Sequence, residues 1–254
     1  MLGPVEIRGA AEPFRRSAAR ELVVYLACHR QGVRSDVWSA ALWIDRCVAP
    51  STVHSTVSVA RRALGQSREG ADHLPRSGRV LRLAETVGSD VEQFAAAASS
   101  PHPQRWKEAL GLIRGRLFDG LSLCDWAVLD GTAAQIETMV VETALKAAEH
   151  CLSMGAGQEA QWMVRQGLRI GPYDERLYRA LLRSTEGTGN RVGLRSAMSE
   201  ILLIASDGDR GLQGAPPGRA GDPWSSIIHP KTIDLYWELT GGASPAARGH
   251  PSRL

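Results

Sequence analysis

The sequence predicts a mainly helical protein in which a winged helix-turn-helix unit is followed by an array of helix pairs. Two observations predict this fold class. Within the first 90 residues, short β-type segments lie before and after three amphipathic helical segments, which is the element order of a winged helix. From Asp90 onward the hydrophobic periodicity is helical only, and short breaks containing Gly or Pro separate the segments.

The N-terminal unit is predicted to open with a strand and to continue with three helices. Residues 2–8 end in alternating apolar and polar side chains, which favours a short strand. Apolar residues at helical spacing predict helices over 17–29, 35–43 and 50–64, and Gly65 ends the third. The apolar residues expected to face the core from the third helix are Val53, Val57, Ala60 and Leu64.

A β-hairpin is predicted after the third helix. Residues 73–75 and 80–83 have strand character, and they flank the segment Arg76-Ser77-Gly78-Arg79. Glycine readily adopts the positive φ angles that tight turns need, so Gly78 is placed at the turn. This hairpin is the expected wing.

The second half of the chain is predicted to be helical. The predicted helices cover 91–98, 104–114, 126–154, 157–170, 174–185, 191–205 and 230–239. Residues 156–185 have tetratricopeptide character, with small residues, large apolar residues and a proline before the next helix, although no strict period can be assigned. Residues 207–221 are predicted to be an exposed loop. The predicted domains are therefore 1–90, 91–242 and a disordered tail over 243–254.

Charge is distributed unevenly along the chain. The 254 residues have a net charge of +3, but residues 1–90 alone carry 13 Arg and 9 acidic residues. The positive excess therefore lies in the N-terminal third, the expected sign for a domain that contacts phosphate. The four cysteines, at positions 28, 47, 124 and 151, form no CxxC motif and are expected to be buried thiols in a reducing cytosol.

No leader, membrane span or catalytic motif is predicted. The N-terminus has neither a basic segment nor an apolar one of the secretory type, and the apolar stretch around Leu22–Cys28 is too short to cross a bilayer. The sequence contains no GxxxxGK, GxGxxG, HExxH or GxSxG motif. We therefore expect a cytoplasmic protein that is not an enzyme and binds no metal or cofactor.

Short segments in a shared order resemble a known family. Residues 2–8 resemble its opening strand, Arg20-Glu21-Leu-Val-Val-Tyr-Leu-Ala its first helix, and Ala41-Leu42-Trp43 its second. Val57-Ser58 and Arg61-Arg62-Ala63-Leu64-Gly65 resemble the end of its third helix. In the second half, Gly171-Pro172-Tyr173-Asp174-Glu175 continues the match. The family is that of the bacterial transcriptional activator domain proteins, which includes the Streptomyces antibiotic regulatory proteins.

The resemblance implies a winged helix of the response-regulator type fused to a tetratricopeptide-like domain. It also implies binding to double-stranded promoter DNA and recruitment of RNA polymerase, and we expect the protein to act as a dimer on repeated sites. An alternative is a protein-interaction module whose winged helix no longer binds DNA. Such a module is also found at the end of longer, membrane-anchored proteins.

Candidate DNA contacts follow from the third helix, which lies in the major groove in this fold. If Val53 and Val57 face the core, the opposite face carries Thr52, Ser55, Val59 and Arg62. Hydroxyl, imidazole and guanidinium groups suit contacts to phosphates or base edges. The candidate residues are Ser51, Thr52, His54, Ser55, Ser58, Arg61, Arg62, Arg76 and Arg79.

Two alternatives stay open for these residues. Arg61 and Arg62 also suit a solvated helix end that interacts with the helix dipole, and Arg76 and Arg79 a solvated hairpin tip. The sequence departs from the family pattern at Val59, where a basic residue is usual. In the second half, a basic run of Arg165, Arg169, Arg176, Arg179 and Arg183 is either a solvated face or a docking surface for an acidic partner.

Overall fold

The computed structural model describes residues 1–76, 78, 80–122, 124–188, 190–206 and 227–241. The predicted loop at 207–221 and the predicted tail at 243–254 lie outside the described residues. The chain divides into two compact units, which are residues 1–99 with 112–137, and residues 100–111 with the described residues from 138 onward. The mainly helical fold class is confirmed.

The helices and strands are as follows: α1 Ser17–Cys28, β1 Val33–Arg34, α2 Ser35–Leu42, α3 Pro50–Leu64, β2 Val80–Leu81, α4 Asp90–Ala98, α5 Pro103–Gly111, α6 Trp126–Leu129, α7 Thr132–Ser153, α8 Gly157–Leu168, α9 Glu175–Glu186, α10 Arg191–Ala205 and α11 Pro230–Thr240.

Three helices build the core of the first unit. Helix α1 packs on both α2 and α3. Leu22 and Leu26 of α1 and Trp38 of α2 have no exposed surface. Burying a side chain of this size stabilises the fold by about 1.5–3 kcal/mol. This core fixes the position of α3.

The opening strand predicted over residues 2–8 is wrong. Pro4 forms an isolated bridge with Asp119, and the amide of Val5 donates to the Asp119 carbonyl over 2.9 Å. Gly3 has φ +140°, and a Cβ at this position would lie 2.8 Å from the amide nitrogen of Gly115. This positive φ interrupts the extended conformation that a regular β-ladder needs. The segment therefore forms a single bridge with Asp119 and no strand.

The hairpin partner predicted for residues 80–83 is also wrong. Strand β2 pairs antiparallel with β1, with Val33 opposite Leu81, instead of with residues 73–75. One bond from the Ala84 amide to the His73 carbonyl, 2.9 Å long, connects the two sides of the wing loop. The wing is therefore attached to the segment between α1 and α2.

The long helix predicted over 126–154 is two helices. Gly131 has φ +80°, and it lies between α6 and α7. Asp130 Oδ1 accepts a hydrogen bond from the Thr132 amide over 2.9 Å, which caps the start of α7. The break follows from the left-handed conformation of this glycine.

Neighbouring helices pack against each other in the second unit. Helix α8 packs on α9, and α9 packs on α10 and α11. The α8–α9 contact is close at Gly167, where a Cβ would lie 3.1 Å from Leu177. Among the described residues, no helix has both the length and the apolar character that a membrane crossing requires.

The four cysteines are free thiols. Cys47 is exposed and the other three are partly buried, so the expectation of four buried thiols is wrong. Cys28 is the most enclosed: burial, together with the nearby Asp130 carboxylate, raises the pKa of its thiol to about 12.

Candidate nucleic-acid interface

Helix α3 has well-defined ends. Pro50 occupies the first turn, where its missing N–H leaves no helical bond unmade. Gly65 follows the last residue with φ +71°, and its amide donates to the Arg61 carbonyl over 3.0 Å. The side chains that α3 buries are Thr56, Ala60, Ala63 and Leu64.

The core face of α3 therefore differs from the predicted one. Val53 and Val57 are only partly buried, whereas Thr56 is buried. The Thr56 hydroxyl donates to the Thr52 carbonyl over 2.8 Å, which satisfies its polar group inside the core. A prediction that excludes Thr56 from the core therefore rotates the core face of α3 by part of a helical turn from its observed position.

An exposed polar stripe lies opposite this core face. Its residues recur at intervals of three and four positions, the spacing of one helical face. They are Ser51, His54, Ser58 and Arg62. Val59 is partly buried and lies to one side of the stripe, so its predicted place on the exposed face opposite the core is wrong.

Two of the hydroxyls predicted to contact DNA already bond the helix backbone. Ser58 Oγ donates to the His54 carbonyl over 3.0 Å, and Ser55 Oγ donates to the Thr52 carbonyl over 3.0 Å. Each oxygen retains lone pairs that can accept a further hydrogen bond. Thr52 itself is partly buried and offers less surface than the stripe residues.

On one side of the stripe, Arg61 reaches the wing. Its Nε donates to the Leu74 carbonyl over 2.8 Å, so part of its hydrogen-bonding capacity is used to hold residues 73–75 against α3. Arg76 follows in the wing and is exposed. Arg79 lies outside the described residues.

A groove with a cavity volume of about 600 Å³ runs along this side of α3. Helix α2, helix α3 and the wing all contribute to its lining, which includes Asp36, Val53, Val57, Arg61, Arg76 and Leu81. Asp36 accepts two 3.0 Å hydrogen bonds from the guanidinium of Arg34, and this contact lowers the pKa of the carboxyl group. The groove is thus lined by one negatively charged side chain, that of Asp36, and by the positively charged side chains of Arg61 and Arg76.

On the other side of the stripe lies Arg16, a cation that the sequence pattern did not predict to contact DNA. Arg16 precedes α1 and is exposed, and its guanidinium donates to Ser55 Oγ over 2.9 Å. Nothing in the local pattern around Arg16 indicates that it lies beside α3, since the two residues are 39 positions apart.

The basic run predicted in the second half is largely ion-paired. Arg165 contacts Glu200 at 2.7 Å, and Arg176 contacts Glu142 at 2.6 Å and Asp174 at 2.7 Å. Arg179 donates to the Thr232 hydroxyl over 2.9 Å and lies 3.7 Å from the Glu175 carboxylate. These three arginines connect elements of the second unit, whereas Arg183 is exposed, so the run does not form one continuous unpaired basic face.

Metal ligands are not clustered in the described ranges: no group of three or more His, Cys, Asp or Glu side chains there could hold a metal ion.

Comparison with known proteins gives one family match, which lies after α3 in the chain. Residues 80–193 match the family model of the bacterial transcriptional activator domain, and the matched range runs from β2 into α10. This part of the chain is therefore similar to a bacterial transcriptional activator domain, and the matched range is less than half of the 254 residues. None of the curated proteins compared with this chain matches it.

The structure is similar to that of a solved protein, Mycobacterium tuberculosis EmbR in complex with a low affinity phosphopeptide. The TM-score is 0.60 at 22% sequence identity, and the match covers 95% of this chain and 64% of the EmbR chain. The chain thus spans less than two thirds of the length of that structure. At this identity, the similarity concerns the fold alone.

Proposed function

We propose that the protein is a transcription regulator that binds double-stranded DNA through α3 and the wing. The observation that carries the proposal is the exposed stripe of Ser51, His54, Ser58 and Arg62, with cations on both of its sides. The activator-domain match supports the same regulatory class. The predicted residues Thr52, Arg61, Arg76 and Arg79 remain part of the proposed contact surface, whereas the predicted residue Ser55 accepts a hydrogen bond from Arg16.

The stripe has the chemistry of a major-groove surface. Arg62 can donate two hydrogen bonds to a guanine edge, and the hydroxyls and imidazole can bond bases or phosphates. In the described part of the chain, neither Arg16 nor Arg62 has an ion-pair partner, so binding phosphate does not require an existing ion pair to break. Val59 lies beside the stripe and does not obstruct it.

The similarity to the activator domain supports the remaining parts of the proposal. The helical unit contacts RNA polymerase or a second copy of the chain, and two copies bind repeated DNA sites. The protein acts in the cytoplasm as a binding protein rather than as an enzyme.

The decisive experiment is a titration of the full chain with duplexes selected from a randomised pool, at about 50 and 200 mM salt. About four phosphate contacts would weaken binding roughly a hundredfold between these concentrations, because counterions are released on binding. Absence of binding to any selected duplex at the lower salt concentration would refute the proposal. Affinity that does not change with salt would contradict the phosphate contacts.

A further inference from the structure

Beyond the stripe, whose Arg62 is three positions from Val59, the side of α3 that carries Ser55 and Val59 adds no basic residue. These two residues are one helical turn apart and lie on the same side of the helix. Both are partly buried. The opposite side has Arg61 and Arg76, so the charges contributed by α3 and the wing are asymmetric about the stripe.

A segment from outside α3 runs along the uncharged side. The Glu12 amide donates to the Ala63 carbonyl near the end of α3 over 3.1 Å. A Cβ on Gly65 would lie 2.6 Å from the Cβ of Ala11, so the two backbones approach closely. Residues 11–16 are thereby held beside α3.

Arg16 is the cation that this segment brings to α3. Its Nη1 donates to Ser55 Oγ, which in turn donates to the Thr52 carbonyl over 3.0 Å. The other N–H groups of this exposed guanidinium have no partner within the described residues. Ser55 therefore fixes the side chain of Arg16, and several donors remain directed to solvent.

We propose that Arg16 binds a backbone phosphate of DNA on the side of α3 opposite the wing, and that Ser55 positions it. Arg16 thus supplies a cation beside the turn of α3 that carries Ser55 and Val59. A helix in the major groove has a phosphate backbone on each side, so Arg16 contacts one strand while Arg61 and Arg76 face the other. This inference rests on the proposed function.

The test compares Arg16→Ala with the wild-type chain on a selected duplex and on an unselected duplex of equal length. We expect affinity for both duplexes to fall about five- to tenfold near 100 mM salt, and the dependence of log affinity on log salt to become shallower by about one. Arg16→Lys should retain the wild-type salt dependence. The control is Arg8→Ala, which removes an exposed arginine that is paired with Glu6 and should change neither quantity.

Ser55→Ala tests the positioning role. This variant should lower the affinity for both duplexes, as Arg16→Ala does. The double variant should bind no more weakly than Arg16→Ala alone, because Ser55 acts through Arg16. Additive losses would overturn the positioning role.

Other outcomes separate this inference from the proposed function. Wild-type affinity and salt dependence in Arg16→Ala, or a loss confined to the selected duplex, would overturn the phosphate contact. If the wild-type chain binds DNA with an affinity that Arg62→Ala lowers and Arg16→Ala leaves unchanged, only this inference fails. If the wild-type chain binds no duplex, the proposed function itself fails.

Discussion

The two arginine-rich regions of this protein differ in what their side chains contact. Around α3, Arg16 and Arg62 are exposed, and no carboxylate pairs with either in the described part of the chain. On α8 and α9, Arg165 and Arg176 each contact a carboxylate that lies more than 30 positions away in the sequence. The first region is available to an anionic partner, whereas the second stabilises packing between helices.

The difference shows why the number of arginines alone does not locate an anion-binding surface. An exposed arginine that is paired with a carboxylate has its charge partly neutralised, so it attracts phosphate less strongly than an unpaired arginine does. An unpaired, exposed arginine has no such competing contact. The loss of one guanidinium should therefore lower DNA affinity in the first region and leave it unchanged in the second.

Arg62→Ala is expected to have the largest effect on DNA affinity. The loss should be about 5- to 150-fold, since one arginine contact to a base edge is worth about 1–3 kcal/mol. The free energy of unfolding should stay within about 1 kcal/mol of the wild-type value, because the side chain is exposed. Anisotropy titrations and urea unfolding measure the two quantities.

Arg176→Ala is the matched control for Arg62→Ala. It should leave DNA affinity unchanged, because its guanidinium is paired with Glu142 and Asp174. Arg61→Ala is a poorer probe, since it also removes the bond to the Leu74 carbonyl. A loss of DNA affinity in Arg176→Ala as large as that in Arg62→Ala would contradict the distinction between the two regions.

Asp174→Ala should lower stability without changing DNA binding. Asp174 caps α9 by accepting from the Arg176 amide over 2.9 Å, and removal of such a cap costs about 1 kcal/mol. Asp174→Asn retains a capping side chain and removes only the charge, so its cost should be smaller. Chemical unfolding of the three proteins at pH 7 measures both differences.

The contribution of the Asp174 charge should depend on pH in a defined direction. Burial alone would raise the pKa of Asp174, but the hydrogen bonds and charge of Arg176 outweigh it, and the pKa is lowered. A carboxyl group whose pKa is lowered by folding stabilises the fold above its unfolded pKa of about 3.9, and this stabilisation is lost as the pH falls through the folded pKa. The difference in stability between the wild type and Asp174→Asn should therefore shrink below about pH 4. A constant difference down to pH 2 would exclude a role for the charge.

The helices were the most predictable part of the fold because their ends are encoded locally. The third helix was predicted over 50–64 and α10 over 191–205, and both agree with the structure. Pro50 at the first turn and Gly65 after the last one determine the limits of α3 from within the segment itself.

The remaining features depend on contacts between distant residues. The partner of β2 is β1, a strand of two residues that is too short to produce a recognisable pattern. The orientation of α3 depends on burial of Thr56, whose hydroxyl is satisfied by its own helix. The sequence therefore predicted the exposed polar residues of α3. It predicted neither the position of Val59 beside the stripe nor the contact of Arg16 with α3.

Asp36→Asn should produce the smallest change, and in the opposite direction from Arg62→Ala. Asp36 lines the groove beside Arg61 and Arg76, and its contact with Arg34 lowers its pKa, so the carboxylate is charged wherever DNA binding is measured. Its replacement removes a charge that repels phosphate and releases Arg34 from its ion pair. DNA affinity should rise roughly two- to fivefold at low salt, the scale of one exposed charge in screened solvent.

Glu6→Gln provides the control for Asp36→Asn. It removes an exposed carboxylate of the same unit that is paired with Arg8 and does not line the groove. The net charge changes equally in both variants, so a gain confined to Asp36→Asn identifies the groove as part of the path of the DNA backbone. Equal gains in the two variants would indicate a general effect of net charge. An unchanged affinity in Asp36→Asn would place the DNA away from the groove. The interface would then be limited to the stripe and the Arg16 side of α3.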